Sequence, residues 1–417
     1  MDDLKREKIV YIVLIPMILQ IIYFYICLRY KSDINLLAII IPTVIGLGIN
    51  SLIETRKYLI GKVFLIMWLG GYYISFFNLS SLQYVVDYKT ITRLYIFLIG
   101  FIPIIIEKIY SLMSKNKRIF WNKYELNKKQ NIVVLILFII HICIYIYESK
   151  QTGIPLFIGQ RVESIGAIHV AGEVLLRVVF YVASYNLLIN KKYICSIISL
   201  WGIIYSILTM SRSLTIHFTL YVLLLSFVYR IFSIKKIISI MIIVLVFFGV
   251  MGNVRNGSDF NINEYASMKI DNKVLGWIYC YIGPNYDNLA LQMQNGEPTY
   301  TLSNTLSPII TVLDLDKKLS WYDTSYLYIG KLNIGTIYRD YVCDWGNKGA
   351  VFLFSITIFI INCMYYNKRT KSIIRIIILS EVGICFFTNH FTSSVFWLGI
   401  TIVCFIDFLS SEKRLKE

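Results

Sequence analysis

Residues 131–147 read NIVVLILFIIHICIYIY, an apolar run of 17 residues without a charged side chain. At about 1.5 Å per residue, a helix of this length covers most of a hydrocarbon core about 30 Å thick. The chain contains twelve predominantly apolar runs of about this length, at approximately 9–28, 35–53, 60–82, 93–113, 131–147, 174–190, 193–210, 213–229, 237–253, 349–366, 373–389 and 393–409. We therefore expect an all-α polytopic integral membrane protein with about 12 transmembrane helices.

The composition agrees with a lipid environment. Of the 417 residues, 57% are hydrophobic and 16% are charged, whereas soluble domains carry about 25% charged residues. The chain shows no internal repeat and no Gly/Ser linker, which favours a single integral membrane domain over residues 1–417. The net charge of +16 lies mainly in short loops between the runs, so it indicates membrane topology rather than a nucleic-acid partner.

The basic clusters predict the orientation. If the N-terminus is inside and the first run is an uncleaved span, nearly all of these clusters fall on the cytoplasmic side, as the positive-inside rule requires. They are Arg56/Lys57, 115–129, Lys191/Lys192, Lys235/Lys236, 368–375 and 413–416. Both termini are then cytoplasmic. The opposite side receives the segment 148–173 and one large extracytoplasmic loop at 254–348, between spans 9 and 10, and function is expected there.

Four arginines lie near the predicted outer ends of helices: Arg161, Arg212, Arg255 and Arg339. A guanidinium is always charged, and its fork of donors fits the oxygens of a phosphate. Extracytoplasmic segments next to spans are usually depleted in basic residues, which favours a binding role for the set. The alternative is interfacial snorkelling, or pairing with Glu163, Asp259 or Asp344.

Two further residues are candidates for acid–base chemistry. His390 lies in the sequence Thr-Asn-His-Phe-Thr-Ser-Ser between the last two runs, where a neutral imidazole could accept a proton from a sugar hydroxyl. A solvated loop histidine is the alternative interpretation. Asp340 and other carboxylates of the large loop could serve as the base instead. The pair Asp314 and Asp316 lacks the soluble α/β domain that carries such a metal-binding pair in nucleotide-sugar transferases, so we expect neither a metal nor a cofactor.

Four short motifs resemble those of the O-antigen and capsular polysaccharide repeat-unit polymerases, the Wzy family. They are Gly153-Ile-Pro-Leu-Phe157 followed by Arg161; Ser211-Arg212-Ser213; Tyr281-Ile-Gly-Pro-Asn-Tyr286; and Tyr338-Arg-Asp-Tyr-Val-Cys-Asp-Trp-Gly-Asn-Lys-Gly349. The resemblance covers roughly residues 130–400 in layout. The family pattern of an arginine followed after ten residues by a glycine fits Arg161 with Gly172, whereas Arg339 precedes Gly349 by one residue fewer.

The resemblance implies a metal-independent glycosyltransferase at the outer face of the bacterial plasma (inner) membrane. Such an enzyme transfers a growing glycan from undecaprenyl pyrophosphate onto another lipid-linked oligosaccharide repeat unit. Arginines would hold the departing pyrophosphate while His390 or an aspartate takes the proton of the incoming hydroxyl. A chain-length regulator and a flippase are the expected protein partners.

Two other functions fit a chain with about twelve spans. A lipid-linked oligosaccharide flippase would need charged residues at mid-membrane depth. The sequence argues against it, because the runs hold few charges and we expect Arg177 and Glu107 near helix ends. A multi-span glycosyltransferase using lipid-phosphate sugars ranks third, since its acidic first outer loop would here contain only Asp33.

Overall fold

The structure is a computed structural model that describes residues 58–85, 90–114, 121, 124–158, 166–193, 195–256, 260–312, 326–330, 332 and 335–411. These residues form α-helices and two short 3-10 turns, with no β-strand among them. In chain order the helices are α1 Leu59–Ser75, α2 Thr90–Ile99, α3 Ile102–Met113, α4 Lys128–Thr152, α5 Pro155–Ile158, α6 Gly166–Asn190, α7 Cys195–Leu208, α8 Arg212–Tyr229, α9 Ile234–Arg255, α10 Ile262–Tyr265, α11 Lys273–Cys280, α12 Pro284–Asn295, α13 Ser307–Val312, α14 Arg339–Tyr366, α15 Ser372–Gly383 and α16 Ser394–Ser411. The 3-10 turns are Ser81–Val85 and His390–Thr392.

Several of these helices are long and apolar enough to cross a membrane. Five qualify alone: Lys128–Ile158, Gly166–Asn190, Arg212–Tyr229, Ile234–Arg255 and Arg339–Tyr366. The pair Ile91–Ile99 and Ile102–Met113, bent by 40°, makes a sixth if the two helices form one span. The all-α fold is therefore confirmed for the described residues, with five or six helices that could cross a membrane. The predicted runs 9–28 and 35–53 lie outside them.

Lipid exposure explains which helix faces stay apolar without protein contacts. In α9, only 22% of the residues in its most apolar stretch are buried by protein. Ile242, Ile243 and Val246 on this helix are exposed. Exposed apolar surface of this extent indicates a face in contact with lipid. In contrast, 56% of the residues in the most apolar stretch of α6 are buried by protein, so α6 is an interior helix.

The chain divides into two compact units, which are described separately. The first unit, called unit 1, contains Met1–Arg118, Ile262–Tyr366 and Val382–Thr392. In it, α3 packs against α1 and α14, and α12 packs against α1, α2 and α14. The hydroxyl of Tyr286, on α12, donates a hydrogen bond of 2.6 Å to the carbonyl oxygen of Trp68 in α1. Part of the segment 254–348 thus packs onto an apolar helix.

The second unit, called unit 2, contains Ile119–Asn261, Asn367–Glu381 and Ser393–Glu417. Its central helix is α6, which packs against α4, α7, α8 and α16. Polar side chains cap the N-termini of two of its helices. Asn127 and Gln130 form a reciprocal capping box at α4, and the Ser211 hydroxyl accepts from the backbone N–H of Leu214 at the start of α8. Such caps satisfy N–H groups that a helix leaves without an internal partner.

Close helix contact in unit 1 depends on a glycine and a buried acid. At Gly61, in the first turn of α1, an added Cβ would lie 2.6 Å from the Cβ of Ile104. The backbone N–H of the same residue donates to Glu107 Oε2 at 2.7 Å, and the Tyr366 hydroxyl donates to the other oxygen at 2.5 Å. Glu107 lies in the middle of α3 and is fully buried, so the expectation that it lies near a helix end was wrong. Its carboxylate caps α1.

Replacing Gly61 with alanine is expected to lower the thermal unfolding temperature of the detergent-solubilised protein, because overpacking a helix contact costs about 1–3 kcal/mol. The matched control is Gly70→Ala in the same helix, where an added Cβ meets nothing within 4 Å. Thermal denaturation followed by size-exclusion chromatography measures both. Equal unfolding temperatures for the two variants would contradict the packing described for α1 and α3.

Candidate functional site

The ends of several helices in unit 2 enclose a cavity of about 720 Å³. This volume falls within the range of about 300–1,000 Å³ that is typical of small-molecule sites. The lining comes from the last turns of α4, the first turns of α6, the connection between α7 and α8, and the last residue of α9. The described residues that line it are Tyr145, Glu148, Ser149, Thr152, Gly153, Pro155, His169, Glu173, Tyr205, Thr209, Met210, Ser211, Leu214 and Arg255.

The backbone conformation at the helix termini places these residues at the cavity. Gly153 ends α4 with a φ of 78°, a left-handed value that glycine adopts without strain. Between α7 and α8, Met210 has a φ of 50°, and the N–H of Ser211 donates to the Ser206 carbonyl at 2.9 Å. This turn brings the backbone and hydroxyl groups of residues 209–211 to the cavity.

A histidine and a carboxylate form a pair in the cavity wall. Nδ1 of His169, on α6, lies 3.2 Å from Oε1 of Glu148, on α4. No hydrogen bond engages Nε2 among the described residues. A carboxylate at Nδ1 favours the tautomer in which Nε2 is unprotonated, which is the form that can accept a proton.

An ion pair lies one turn further along α6. The Nε and Nη2 atoms of Arg177 donate to Oε1 of Glu173 at 3.1 and 2.5 Å. Arg177 lies in the middle of α6, not near a helix end as expected. The pair leaves Oε2 of Glu173 without a hydrogen bond among the described residues, so this oxygen keeps its capacity as an acceptor.

Aromatic rings form another part of the wall. The rings of Tyr145 and Tyr205 pack edge to face with centroids 5.2 Å apart. Trp201 packs edge to face on Tyr145 at 5.5 Å, and His141 packs on Tyr205 at 4.9 Å. Within the described part of the chain, the cavity wall therefore combines packed tyrosine rings with carboxylates, hydroxyls and one guanidinium.

The predicted arginines of unit 2 have different surroundings. Arg255 lines the cavity. Arg212, the first residue of α8, is buried, and its guanidinium lies 5.2 Å from the ring centroid of Phe248. It is not part of the cavity lining. The prediction for Arg161 stands untested, since this residue lies outside the described residues.

In unit 1, Arg339 lies in an aromatic cage. Its Cζ lies 4.1 Å from the ring centroid of Tyr326 and 4.8 Å from that of Tyr328, distances at which cation–π attraction operates. An added Cβ at Gly335 would lie 2.7 Å from Nη1 of this arginine, so glycine leaves room for the guanidinium. Nε and Nη1 have no acceptor among the described residues.

Asp340 and His390 also belong to unit 1. Asp340 accepts hydrogen bonds from the Thr392 hydroxyl at 2.9 Å and from the Tyr326 hydroxyl at 3.2 Å. Burial raises the pKa of Tyr326, so this phenol stays a donor at neutral pH. His390 begins the 3-10 turn that contains Thr392. The turn therefore links the two predicted residues.

Asp344 has a structural role. Its two carboxylate oxygens accept four hydrogen bonds, from the backbone N–H groups and side chains of Asn304 and Thr305, at 2.6–3.0 Å. This carboxylate therefore anchors the segment before α13. The alternative in which it pairs with an arginine is wrong for the described residues.

Further ionisable groups lie inside unit 2. Nε2 of His217, on α8, lies 3.4 Å from Oε2 of Glu381, on α15, and both side chains are buried. Together with Glu173 and Arg177 they form two pairs of ionisable side chains within the helices of unit 2. Such residues at membrane depth usually have a function or a partner.

Sequence reasoning did not select His169, Glu173 and Arg177 as a group. Their spacing of four residues places them on one face of a helix, and this signal was available. The apolar run was predicted to begin at residue 174, whereas α6 begins at Gly166. The polar residues of the first turns interrupted the hydropathy pattern that marks a span.

A comparison of the chain with protein-family models, curated proteins and solved structures finds no match. The resemblance to the polymerases therefore remains a prediction from the motifs.

A cysteine placed at Ser149 is expected to react with a water-soluble maleimide, since Ser149 lines the cavity and is partly exposed. The background is a chain whose eight cysteines are replaced. The control, Ser199→Cys, lies at a buried position on α7 that bonds to Ser184, and it should stay unlabelled until the protein is denatured. Equal labelling of both positions would show that water does not enter the cavity selectively.

Proposed function

We propose that this protein is a polysaccharide repeat-unit polymerase of the bacterial plasma membrane. It transfers a growing glycan from undecaprenyl pyrophosphate onto another lipid-linked oligosaccharide at the outer face. The proposal includes about 12 transmembrane helices, cytoplasmic termini and an extracytoplasmic loop at 254–348. Its main support is the cavity of unit 2, which holds Arg255 together with the His169–Glu148 pair.

The chemistry of the cavity suits glycosyl transfer. The acceptor hydroxyl attacks the anomeric carbon of the donor glycan, and its proton passes to Nε2 of His169. Glu148 orients the imidazole and stabilises the positive charge that it gains. The bond between the anomeric carbon and the phosphate oxygen breaks, and its electron pair leaves with the pyrophosphate.

A guanidinium stabilises the negative charge that develops on that leaving group. Arg255 has this role at the cavity. Arg161, Arg212 and Arg339 remain predicted pyrophosphate ligands, and Asp340 and His390 remain predicted site residues. A chain-length regulator and a flippase are proposed partners, and no metal or cofactor is invoked.

A flippase is the second candidate because of one observation, the buried ionisable groups of unit 2. Glu173 with Arg177 and His217 with Glu381 place charges inside membrane helices, which transporters of charged lipids require. The polymerase is preferred, since these groups are paired with one another and the lining of the cavity contains both a base and an arginine.

Three single variants test the polymerase: Arg255→Ala, His169→Gln and Glu148→Gln. Loss of a general base lowers a rate by about 10²–10⁴-fold, so surface glycan should shorten from a ladder to single repeat units for His169→Gln. We expect the same for Arg255→Ala, because the charge on the leaving pyrophosphate is no longer stabilised. For Glu148→Gln we expect a lower kcat with little change in KM, with partial recovery in Glu148→Asp. Gel electrophoresis of surface glycan and assays with purified lipid-linked units measure these effects.

The matched control is Arg369→Ala, at an exposed position in a predicted cytoplasmic loop, which should keep the full ladder. All variants must be inserted at wild-type levels, as immunoblots of membranes would show. Ladders of normal length from Arg255→Ala and His169→Gln would overturn the proposed site.

Deletion of the gene distinguishes the two candidate functions. A polymerase defect leaves single-unit glycan at the cell surface, because transport of each unit is intact. A flippase defect traps lipid-linked units on the cytoplasmic side. Protection of these units from impermeant reagents in intact spheroplasts separates the outcomes, and trapped units would contradict the polymerase.

A further inference from the structure

The carboxylate of Glu173, which lines the cavity of unit 2, uses only one of its two oxygens in hydrogen bonds among the described residues. Arg177 binds only Oε1 of Glu173, through two donors. This contact fixes the carboxylate of Glu173, which lines the cavity. Oε2 is therefore an acceptor with a defined position, and it has no hydrogen bond among the described residues. A ligand that brings hydroxyl donors would satisfy it.

The charges at the cavity wall are nearly balanced. Arg177 neutralises Glu173, and the second carboxylate, Glu148, contacts His169 at 3.2 Å. Arg255 is the one guanidinium of the lining among the described residues. An anionic ligand group near Glu173 would find no uncompensated positive charge there, because Arg177 is already paired with Glu173, and this disfavours a phosphate or a uronate at that point.

Two tyrosine rings also border the cavity, and they present a small part of their surface to it, since Tyr145 is 9% and Tyr205 2% exposed. The edge-to-face contact of Tyr145 with Tyr205 and the support of Trp201 leave these rings little freedom. Sugar rings present C–H groups on their faces and hydroxyls at their edges, so they bind where aromatic surface and carboxylate acceptors converge. The volume of about 720 Å³ admits more than one sugar residue.

We propose that this cavity binds the terminal sugar of the acceptor oligosaccharide, that this sugar is uncharged, and that Oε2 of Glu173 selects it by accepting a hydroxyl. The inference rests on the proposed function and adds a substrate class and a specificity-determining residue. The acceptor hydroxyl that loses its proton to His169 belongs to this sugar, since His169 and Glu173 lie one turn apart on α6.

The test uses the oligosaccharide that mild acid releases from the lipid-linked fraction of a strain lacking the gene. This probe carries no pyrophosphate, so it reports on sugar recognition alone. The full-length protein in lipid nanodiscs is titrated with the probe by calorimetry. Glu173→Gln is expected to weaken binding about three- to tenfold, the effect of one lost hydrogen bond. The control Glu125→Gln, at an exposed position paired with Lys192, should bind like the wild type.

A second variant covers the case in which Glu173→Gln does not fold. Ser149→Trp places a large ring at a partly exposed position of the cavity wall and should abolish binding by filling the space. Unchanged affinity in Glu173→Gln, unchanged affinity in Ser149→Trp, or no binding to the wild type would each overturn the proposal. A uronic acid as the non-reducing terminal sugar of the probe would overturn it as well.

These results separate the site from the function. If the wild type binds the probe and Glu173→Gln weakens binding, but the deletion strain still makes long glycan, the polymerase assignment fails and the sugar site stands. If the deletion strain makes only single units while Glu173→Gln binds normally, the site fails and the polymerase stands.

Discussion

A buried charge inside an apolar helix must have a partner, and unit 2 depends on this constraint. Moving a lone charge from water into an apolar interior costs several kcal/mol. Removing one partner of a buried ion pair, which leaves the other charge alone, destabilises a protein by about 3–5 kcal/mol. Glu173 and Arg177 form such a pair within one helix, where they lie four residues apart. The pair allows α6 to stay central in the unit while its first turns carry the polar groups of the cavity.

This arrangement connects packing with chemistry. The same helix that packs against α4, α7, α8 and α16 presents His169 and Glu173 at the cavity, where His169 contacts Glu148 of α4. Because helix termini are positioned by the packing of whole helices, the distances at the cavity follow from the apolar contacts further down. A site built this way needs no separate soluble domain, and its polar groups are preorganised.

Much of the fold was predictable from the sequence, because continuous apolar runs have few alternatives to membrane helices. The runs at 131–147, 213–229 and 237–253 correspond to α4, α8 and α9. Hydropathy failed where polar residues belong to a helix, as in the first turns of α6. It also gave no sign that Tyr286 of the long loop reaches Trp68, since such a contact depends on tertiary packing. For the site, residue type and position selected Arg255, but the pairing of His169 with Glu148 joins two helices that only the fold brings together.

The break in α14 has a consequence for how unit 1 is held together. Trp345 and Gly346 leave helical geometry, with φ at Gly346 of 64°, so nearby carbonyl groups lose their partners within the helix. The carbonyl of Cys343 accepts from the N–H of Thr299 at 2.9 Å, and that of Asn347 accepts from the Tyr95 hydroxyl at 2.5 Å. Through these two hydrogen bonds, the broken helix α14 is connected to the loop before α13 and to the bent α2–α3 pair. Main-chain carbonyl groups accept both bonds, and the bond from Thr299 uses main-chain groups on both sides, so substitution of side chains does not remove it.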